Sequence, residues 1–328
     1  MRNFLDFRRL AAVTTALTCV GFAAHAHAQN LTIQSGSPTG SWYPAGVAIT
    51  NAMQQANSDL SVTVAPGGAL ENARAASFGQ DTDMAMTYAS SWHGALQGSH
   101  PFEREWPDSR FVMALAQVVY HGGVAAESDI ESYADLADKA IMPGLQSWAT
   151  NTMTMEILAQ YDISYDDIIA NGGKVEHVGY DDMQRGMADR QTDFIAAFQG
   201  YPTALWINTH NSRPLRLLPV PEEIAEPILE NIPGLFLAQI PAGTYDINPD
   251  EDIATIGDVT IAIAHKDYDP DVVYEFVRTT LENRESLMQA APTLDFVATE
   301  TALTGLADGE IHPGARRYYE EIGLELPN

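Results

Sequence analysis

The stretch Leu31-Thr32-Ile33-Gln34-Ser35-Gly36-Ser37-Pro38-Thr39-Gly40-Ser41-Trp42-Tyr43 decides the fold. It opens with a short strand at 31–34 and leads into a helix whose apolar positions are Val47, Ile49, Met53 and Ala56. The loop between them is rich in glycine and hydroxyls. Glycine lets backbone approach a ligand closely, and a helix start offers free N–H groups to an anion.

The same order of elements recurs outward from this stretch. Residues 61–65 form a β-branched strand closed by Pro66-Gly67-Gly68. Residues 71–78 follow as a helix that Gly79 stops, and 83–88 and 111–119 read as strands. A second block has a short helix at 133–138, a strand at 140–142 and the loop Pro143-Gly144-Leu145-Gln146-Ser147-Trp148. It continues with a helix at 149–160, a strand at 175–178, a helix at 181–188 and a strand at 193–198. Strands alternating with helices predict an α/β sheet with parallel pairs. The run Asp81-Thr82-Asp83-Met84-Ala85-Met86 is echoed by Gln191-Thr192-Asp193-Phe194-Ile195-Ala196, with Thr-Asp before a buried strand each time. No Gly/Ser linker parts the blocks. The expectation is two lobes joined by crossing strands, with 29–121 and 258–328 in lobe 1 and 122–257 in lobe 2. Residues 259–265 read as a strand, 271–280 as a helix, and the remainder as helical with a break at Pro313-Gly314.

The chain has 328 residues, and 17 Lys+Arg against 44 Asp+Glu give a net charge of −27. Such a surface repels phosphate backbones and anionic headgroups, which argues against nucleic-acid binding and electrostatic membrane docking. Hydrophobic residues at 45% and charged residues at 19% are those of a globular chain. Residues 1–28 read as a signal peptide: Arg2, Arg8 and Arg9, an apolar run at 10–24, then the A-x-A site Ala26-His27-Ala28. Cleavage after Ala28 removes Cys19, the only cysteine, and with it any disulfide or Cys metal site. The expected product is a periplasmic protein, exported by the Sec route since the surroundings of Arg8-Arg9 do not suit twin-arginine export.

Four loops occupy the place where open α/β sheets hold ligands, beyond the carboxyl ends of strands at a switch in strand order. The first offers Thr39, Gly40, Ser41, Trp42 and Tyr43; the second offers Gly68, Ala69 and Asn72. The third brings Ser147, Trp148, Ala149 and Thr150, the fourth Gln199, and Tyr88 is a candidate wall. None of these loops contains Arg or Lys. A ligand anion would therefore be met by backbone N–H groups and by Thr39, Ser41, Asn72, Ser147 and Thr150. Trp42 and Trp148 fall in corresponding loops, so closure would bring them to opposite walls and favour a ligand with an apolar or planar portion. The hinge is expected near 118–123 and 257–261.

The segment from Gly36 to Tyr43 with Pro44, Ala45 and Gly46 resembles the G-x-x-x-G-x-Y-Y-P-x-G opening of the TAXI family, the solute-binding receptors of TRAP transporters. Gly67-Gly68-Ala69-Leu70-Glu71-Asn72 is similar to that family's G-G-S-x-E-N segment. Ile240-Pro241-Ala242-Gly243-Thr244-Tyr245 resembles I-P-A-G-x-Y, and His312-Pro313-Gly314-Ala315 with Tyr318-Tyr319 resembles H-P-G-A-x-x-Y-Y. The resemblance implies a type II periplasmic-binding-protein fold, two α/β lobes with a central ligand cleft. It implies a glutamate-like or 2-oxoglutarate-like organic acid as ligand and TRAP membrane subunits as partners. Trp42, Ala69 and the 146–150 loop depart from the family pattern at the pocket. The alternative is a binding protein for an ABC importer of a heterocycle or sulfonate.

The catalytic signatures are missing from the sequence. There is no H-E-x-x-H pair, no G-x-S-x-G elbow and no Walker A sequence. The expectation is a monomeric receptor with no enzymatic activity, no cofactor and no catalytic metal. Asp246, Asn248, Asp250 and Asp252 alternate like calcium-loop ligands, but Glu251 and Gly257 stand where an EF-hand needs Gly and Glu, so a solvated acidic loop is expected, with a structural calcium site as the alternative.

Overall fold

The computed structural model describes residues 29–327 apart from 39, 80, 100 and 308. The expectations for residues 1–28 and for Thr39 lie outside the described residues. The first block runs β1 (Gln29–Gln34), α1 (Trp42–Ala56), β2 (Leu60–Ala65), α2 (Ala69–Phe78), β3 (Met84–Tyr88) and α3 (Ala89–Gln97). The long β4 (Ser109–Ala125) leads to β5 (Ala140–Met142), α4 (Ala149–Ala159), α5 (Tyr165–Ala170), β6 (Lys174–Val175), α6 (Tyr180–Ala188) and β7 (Phe194–Gln199). Then come α7 (Ala204–Ser212), β8 (Leu215–Leu218), α8 (Glu222–Asn231), β9 (Phe236–Ile240) and β10 (Ile253–His265). The chain ends with α9 (Pro270–Glu282), α10 (Arg284–Ala290) and α11 (Pro313–Glu321).

One sheet carries the order β2-β1-β3-β10-β4-β7-β5-β6, with β8 added on β4 and β9 on β10. β1 is parallel to β2 and β3, and β5 is parallel to β6 and β7. Between these two parallel sets, β10 and β4 run antiparallel to each other and to β3 and β7. Each set of three with its helices is one lobe, and the strands that cross between the lobes are β4 and β10. Parts of the expected hinge segments sit opposite each other in these strands, Gly257 beside Val119 and Asp258 beside Val118.

The Thr-Asp echo is a repeated fastening. Asp83 accepts from Thr32 N at 2.7 Å and returns its own N–H to Thr32 O, which ties β3 to β1. Asp193 accepts from Ala140 N at 2.9 Å and returns its N–H to Ala140 O, which ties β7 to β5. The turn before each also holds a left-handed residue, Asp81 at φ 58° and Arg190 at φ 60°.

Several boundaries and faces differ from expectation. The buried stripe of α1 is Trp42, Ala45, Ile49 and Met53; Val47 is half-buried and Ala56 exposed. Spacing of three and four residues keeps that set on one face, which Val47 leaves; Ala56 keeps the spacing but is the last residue of α1 and stands exposed. β4 and β10 run well past the expected 111–119 and 259–265 because each pairs with further strands beyond the lobe core. Pro313 does not break a helix but starts α11 at its first turn, where a missing N–H costs nothing, and His312 Nδ1 caps Gly314 N. The segment from 204 to 240 holds α7, β8, α8 and β9, none of which the sequence pattern marked.

Candidate functional site

The loops that leave β1, β2, β3, β5 and β7 at their carboxyl ends meet in one cleft of about 450 Å³, its open mouth included. One wall comes from the first block: Gly36, Ser37, Gly40, Ser41, Trp42, Gly67, Gly68, Ala69 and Tyr88. The other wall is Trp148, Ala149, Thr150, Tyr180, Phe198 and Gln199. A wider vestibule of about 2240 Å³ shares Gly40, Ser41, Tyr180 and Gln199 and reaches the segment 290–296.

Aromatic contacts set the floor. Trp42 stands edge-on to Tyr88 with centroids 4.7 Å apart, and its indole N–H donates to Thr260 Oγ1 at 3.0 Å. Tyr88 packs on Phe198 and its hydroxyl donates to Phe198 O at 2.9 Å, a bond that crosses between β3 and β7. Trp148 packs on Tyr180 at 4.5 Å in the opposite wall. Close approach depends on Gly68: a Cβ there would lie 2.9 Å from Trp148 Cδ1 and 3.2 Å from Ser147 O.

The electrostatics come from backbone. α1, α2, α4 and α6 all begin at this cleft, and their N-caps Ser41, Gly68, Trp148 and Gly179 make no side-chain capping bond. Ser164 on α5 and Asp269 on α9 cap with their side chains, whereas the N-caps of α3, α7, α8 and α10 also make no such bond, so what sets the four apart is that they start at the cleft. An uncapped start leaves first-turn N–H groups and a partial positive charge directed at the cleft, in full on α1 and α4 and offset in part by the first-turn acids Glu71 on α2 and Asp181 and Asp182 on α6. None of the described lining residues is Lys, Arg, His, Asp or Glu. Arg74 is exposed on α2, with its guanidinium 5.2 Å from the Phe102 ring centre. Thr150 Oγ1 accepts from Phe198 N at 3.1 Å, which leaves its own proton to donate. Burial pushes the Tyr180 phenol up to about 12, so it stays protonated.

Behind the floor, Asp258 of β10 is fully buried and caps α3. It accepts from Ser90 Oγ and from Val259 N. Burial drives its carboxyl up from the ordinary 3.8 to about 7, opposed by those bonds.

Ten of the fourteen residues named from sequence line the cleft: Gly40, Ser41, Trp42, Gly68, Ala69, Tyr88, Trp148, Ala149, Thr150 and Gln199. Tyr43 is half-buried on α1 and does not line it. Asn72 is buried beneath the wall, where its Nδ2 donates to Ser35 O at 2.6 Å and Met86 O at 2.7 Å. It ties α2 to the end of β1 and to β3 and has no amide proton left for a ligand. Ser147 touches the Gly68 side of the closure instead of the cleft. Five described lining residues go beyond those named: Gly36, Ser37, Gly67 and Phe198, which adjoin them in the same loops, and Tyr180, which lies outside all four loops. Its signal was the duplication itself, since Gly179-Tyr180 opens α6 as Gly68-Ala69 opens α2. The 246–252 loop is closed by its own polar groups: Asn248 Nδ2 donates to Pro241 O and Glu251 O, and Asp252 accepts from Ala242 N. Among the described residues no cluster of three or more His, Cys, Asp or Glu is placed to hold a metal.

A structure from Bordetella bronchiseptica RB50 is 14% identical, with a TM-score of 0.54 over 89% of this chain and 98% of that one. The alkanesulfonate-binding protein SsuA from Xanthomonas axonopodis pv. citri, bound to MOPS, is 12% identical with a TM-score of 0.46 over 89% of this chain and 83% of that one. The periplasmic aliphatic sulphonate binding protein SsuA from Escherichia coli gives the same identity and TM-score over 89% and 78%. At these identities the likeness lies in the fold, which is the two-lobed type II periplasmic-binding-protein fold. A family model spans residues 33–323, from β1 to the last turn after α11, and the chain belongs to the NMT1-like family.

Proposed function

We propose that this chain is an exported solute receptor that closes its two lobes on a small organic anion bearing an apolar or planar part and delivers it to a membrane importer. The observation that carries the reading is the meeting of four uncapped helix starts in one aromatic-walled cleft without a cation. The proposal keeps residues 29–121 with 258–328 in one lobe and 122–257 in the other. Among the described lining residues there is no carboxylate, imidazole, ammonium or thiol, and burial raises the phenols of Tyr88 and Tyr180 so that both stay protonated. Among the described residues no helix is long and apolar enough to cross a membrane.

Two importer classes fit such a receptor. An ABC importer of a sulfonate or heterocycle is favoured by the walls, because Trp42–Tyr88 and Trp148–Tyr180 would cover an apolar body behind one anionic head. A TRAP transporter of a compact dicarboxylate is favoured by the four ordered motifs. Yet Asn72, Tyr245 and His312 from those motifs bond to the protein's own backbone and side chains, so their presence speaks for the fold more than for the ligand. A thermal-shift screen of the mature chain against sulfonates, planar heterocyclic acids, 2-oxo acids and amino acids tests the reading. A ligand at one hundred times its Kd stabilises by about 2.7 kcal/mol. Stabilisation by a sulfonate or planar acid is expected; stabilisation by 2-oxoglutarate or glutamate alone would return the carboxylate reading. No stabilisation by any anion would overturn the receptor.

A further inference from the structure

The segment 240–245 is far from the cleft in sequence, yet its last residue sits one step behind the wall. Tyr245 is buried, and its hydroxyl lies 3.2 Å from His121 Nε2 and 3.2 Å from Thr203 N. His121 is fixed by its surroundings. It is stacked on Trp206 with planes 13° apart, and the Val119 and Ala197 carbonyls face its ring. Nδ1 is 3.0 Å from Val119 O, and a carbonyl only accepts, so Nδ1 carries the proton. Burial lowers the ring's pKa to about 4, which keeps it neutral and leaves Nε2 an acceptor. Tyr245 therefore donates to His121, and the phenol oxygen takes the Thr203 N–H. Thr203, held in this way at the start of α7, donates its Oγ1 proton to Gln199 Oε1 at 2.9 Å.

We propose that Tyr245, through Thr203, is a positioning residue that holds the Gln199 amide with its oxygen turned away and its NH₂ directed at the cleft. The inference rests on the anion-receptor reading above and sharpens it. The Gln199 side chain also hydrogen-bonds the Tyr180 hydroxyl, so its remaining amide N–H and the Tyr180 O–H are the donors at this edge, beside those of the helix starts, which selects ligand oxygens that accept and rejects a ligand group that must donate. An amide turned the other way would place a carbonyl oxygen against the anion.

The test uses the full mature chain, ¹⁵N labelled, with benzenesulfonate as probe. His121 is expected to show a protonated Nδ1 and a bare Nε2. Thr203→Val should move the Gln199 side-chain ¹⁵N–¹H₂ signals and weaken benzenesulfonate about tenfold, a loss of about 1.4 kcal/mol. Thr203→Ser, which keeps the hydroxyl, should restore both, a rescue that a purely structural role for the threonine would not require. A proton on His121 Nε2, Gln199 signals unmoved in Thr203→Val, or no recovery in Thr203→Ser would each overturn the proposal. The Gln199 signals decide it whether or not benzenesulfonate binds, while failure of every anion in the screen overturns the receptor reading on its own.

Discussion

The two blocks share one scaffold and differ at the rim. In both, three parallel strands carry two helices whose starts face the cleft, and an Asp before the last strand fastens it to the first. In the first block Trp42 and Tyr88 lie in the floor, and the edge that meets the other lobe is Gly36, Gly40, Gly67, Gly68 and Ala69. In the second, the corresponding helix starts carry Trp148 and Tyr180. Gly68 receives Trp148, and a Cβ on Gly40 would stand 3.6 Å from the Tyr180 ring. The difference in side-chain size lets two similar halves close on one shared site. Two aromatic rims would hold the lobes apart, and two glycine rims would leave the ligand unwalled.

The comparison can be broken first behind the rim. The helix after β3 begins over the buried carboxylate of Asp258, whereas the helix after β7 begins at Thr203 with no side-chain cap. The folded chain holds the Asp258 proton up to about pH 7, and the unfolded chain releases it near 3.8. Folding thus takes up a proton between those values, and stability falls as pH rises through them. Asp258→Asn should be neutral near pH 4 and stabilise by up to roughly 4 kcal/mol at pH 8. Chemical denaturation at both pH values checks it; an equal effect at both would show that the carboxylate is not held neutral.

At the rim, Gly68→Val should leave the fold intact, because its φ of −146° is open to any residue. The new side chain would meet Trp148 Cδ1 and Ser147 O, so closure is blocked. Titration calorimetry should find ligand affinity lower by about a hundredfold, or about 2.7 kcal/mol. The complementary change, Trp148→Ala, should weaken binding at least about tenfold and abolish most of the ligand-induced tryptophan fluorescence change. Affinity near wild type there would assign Trp148 to packing beneath its loop. The smallest effect belongs to Arg74→Ala. Its side chain lies on the exposed face of α2 near Phe102, so binding and stability should both stay within about 0.5 kcal/mol of wild type. Loss of binding in that variant would mean the anion is met by a cation after all.

Sequence patterns made the strand–helix alternation and most of the cleft legible for a physical reason. Gly, Pro and hydroxyl residues at βα turns act locally, and Gly79 ends α2 at φ 64° as its place in the pattern requires. Tyr180 escaped because an aromatic at a helix start reads the same whether it faces a core or a cleft. Asn72 reads as a ligand group because it follows the Gly67-Gly68-Ala69 loop at the start of a helix; only the fold shows that Ser35 O and Met86 O consume its amide protons. The 204–240 segment was unmarked because its helices and strands are short and pack on residues distant in sequence, as β8 does on 122–125.

The four helix starts have a consequence for traffic. Like partial charges drawn together across a narrow gap push back, and an anion between them turns that repulsion into attraction. Closing on nothing is therefore resisted, while closing on cargo is not. On the receptor reading proposed above, shape would signal load: an importer that engages only the shut form would distinguish full carriers from empty ones without ever touching the ligand, and empty carriers would not jam its entrance.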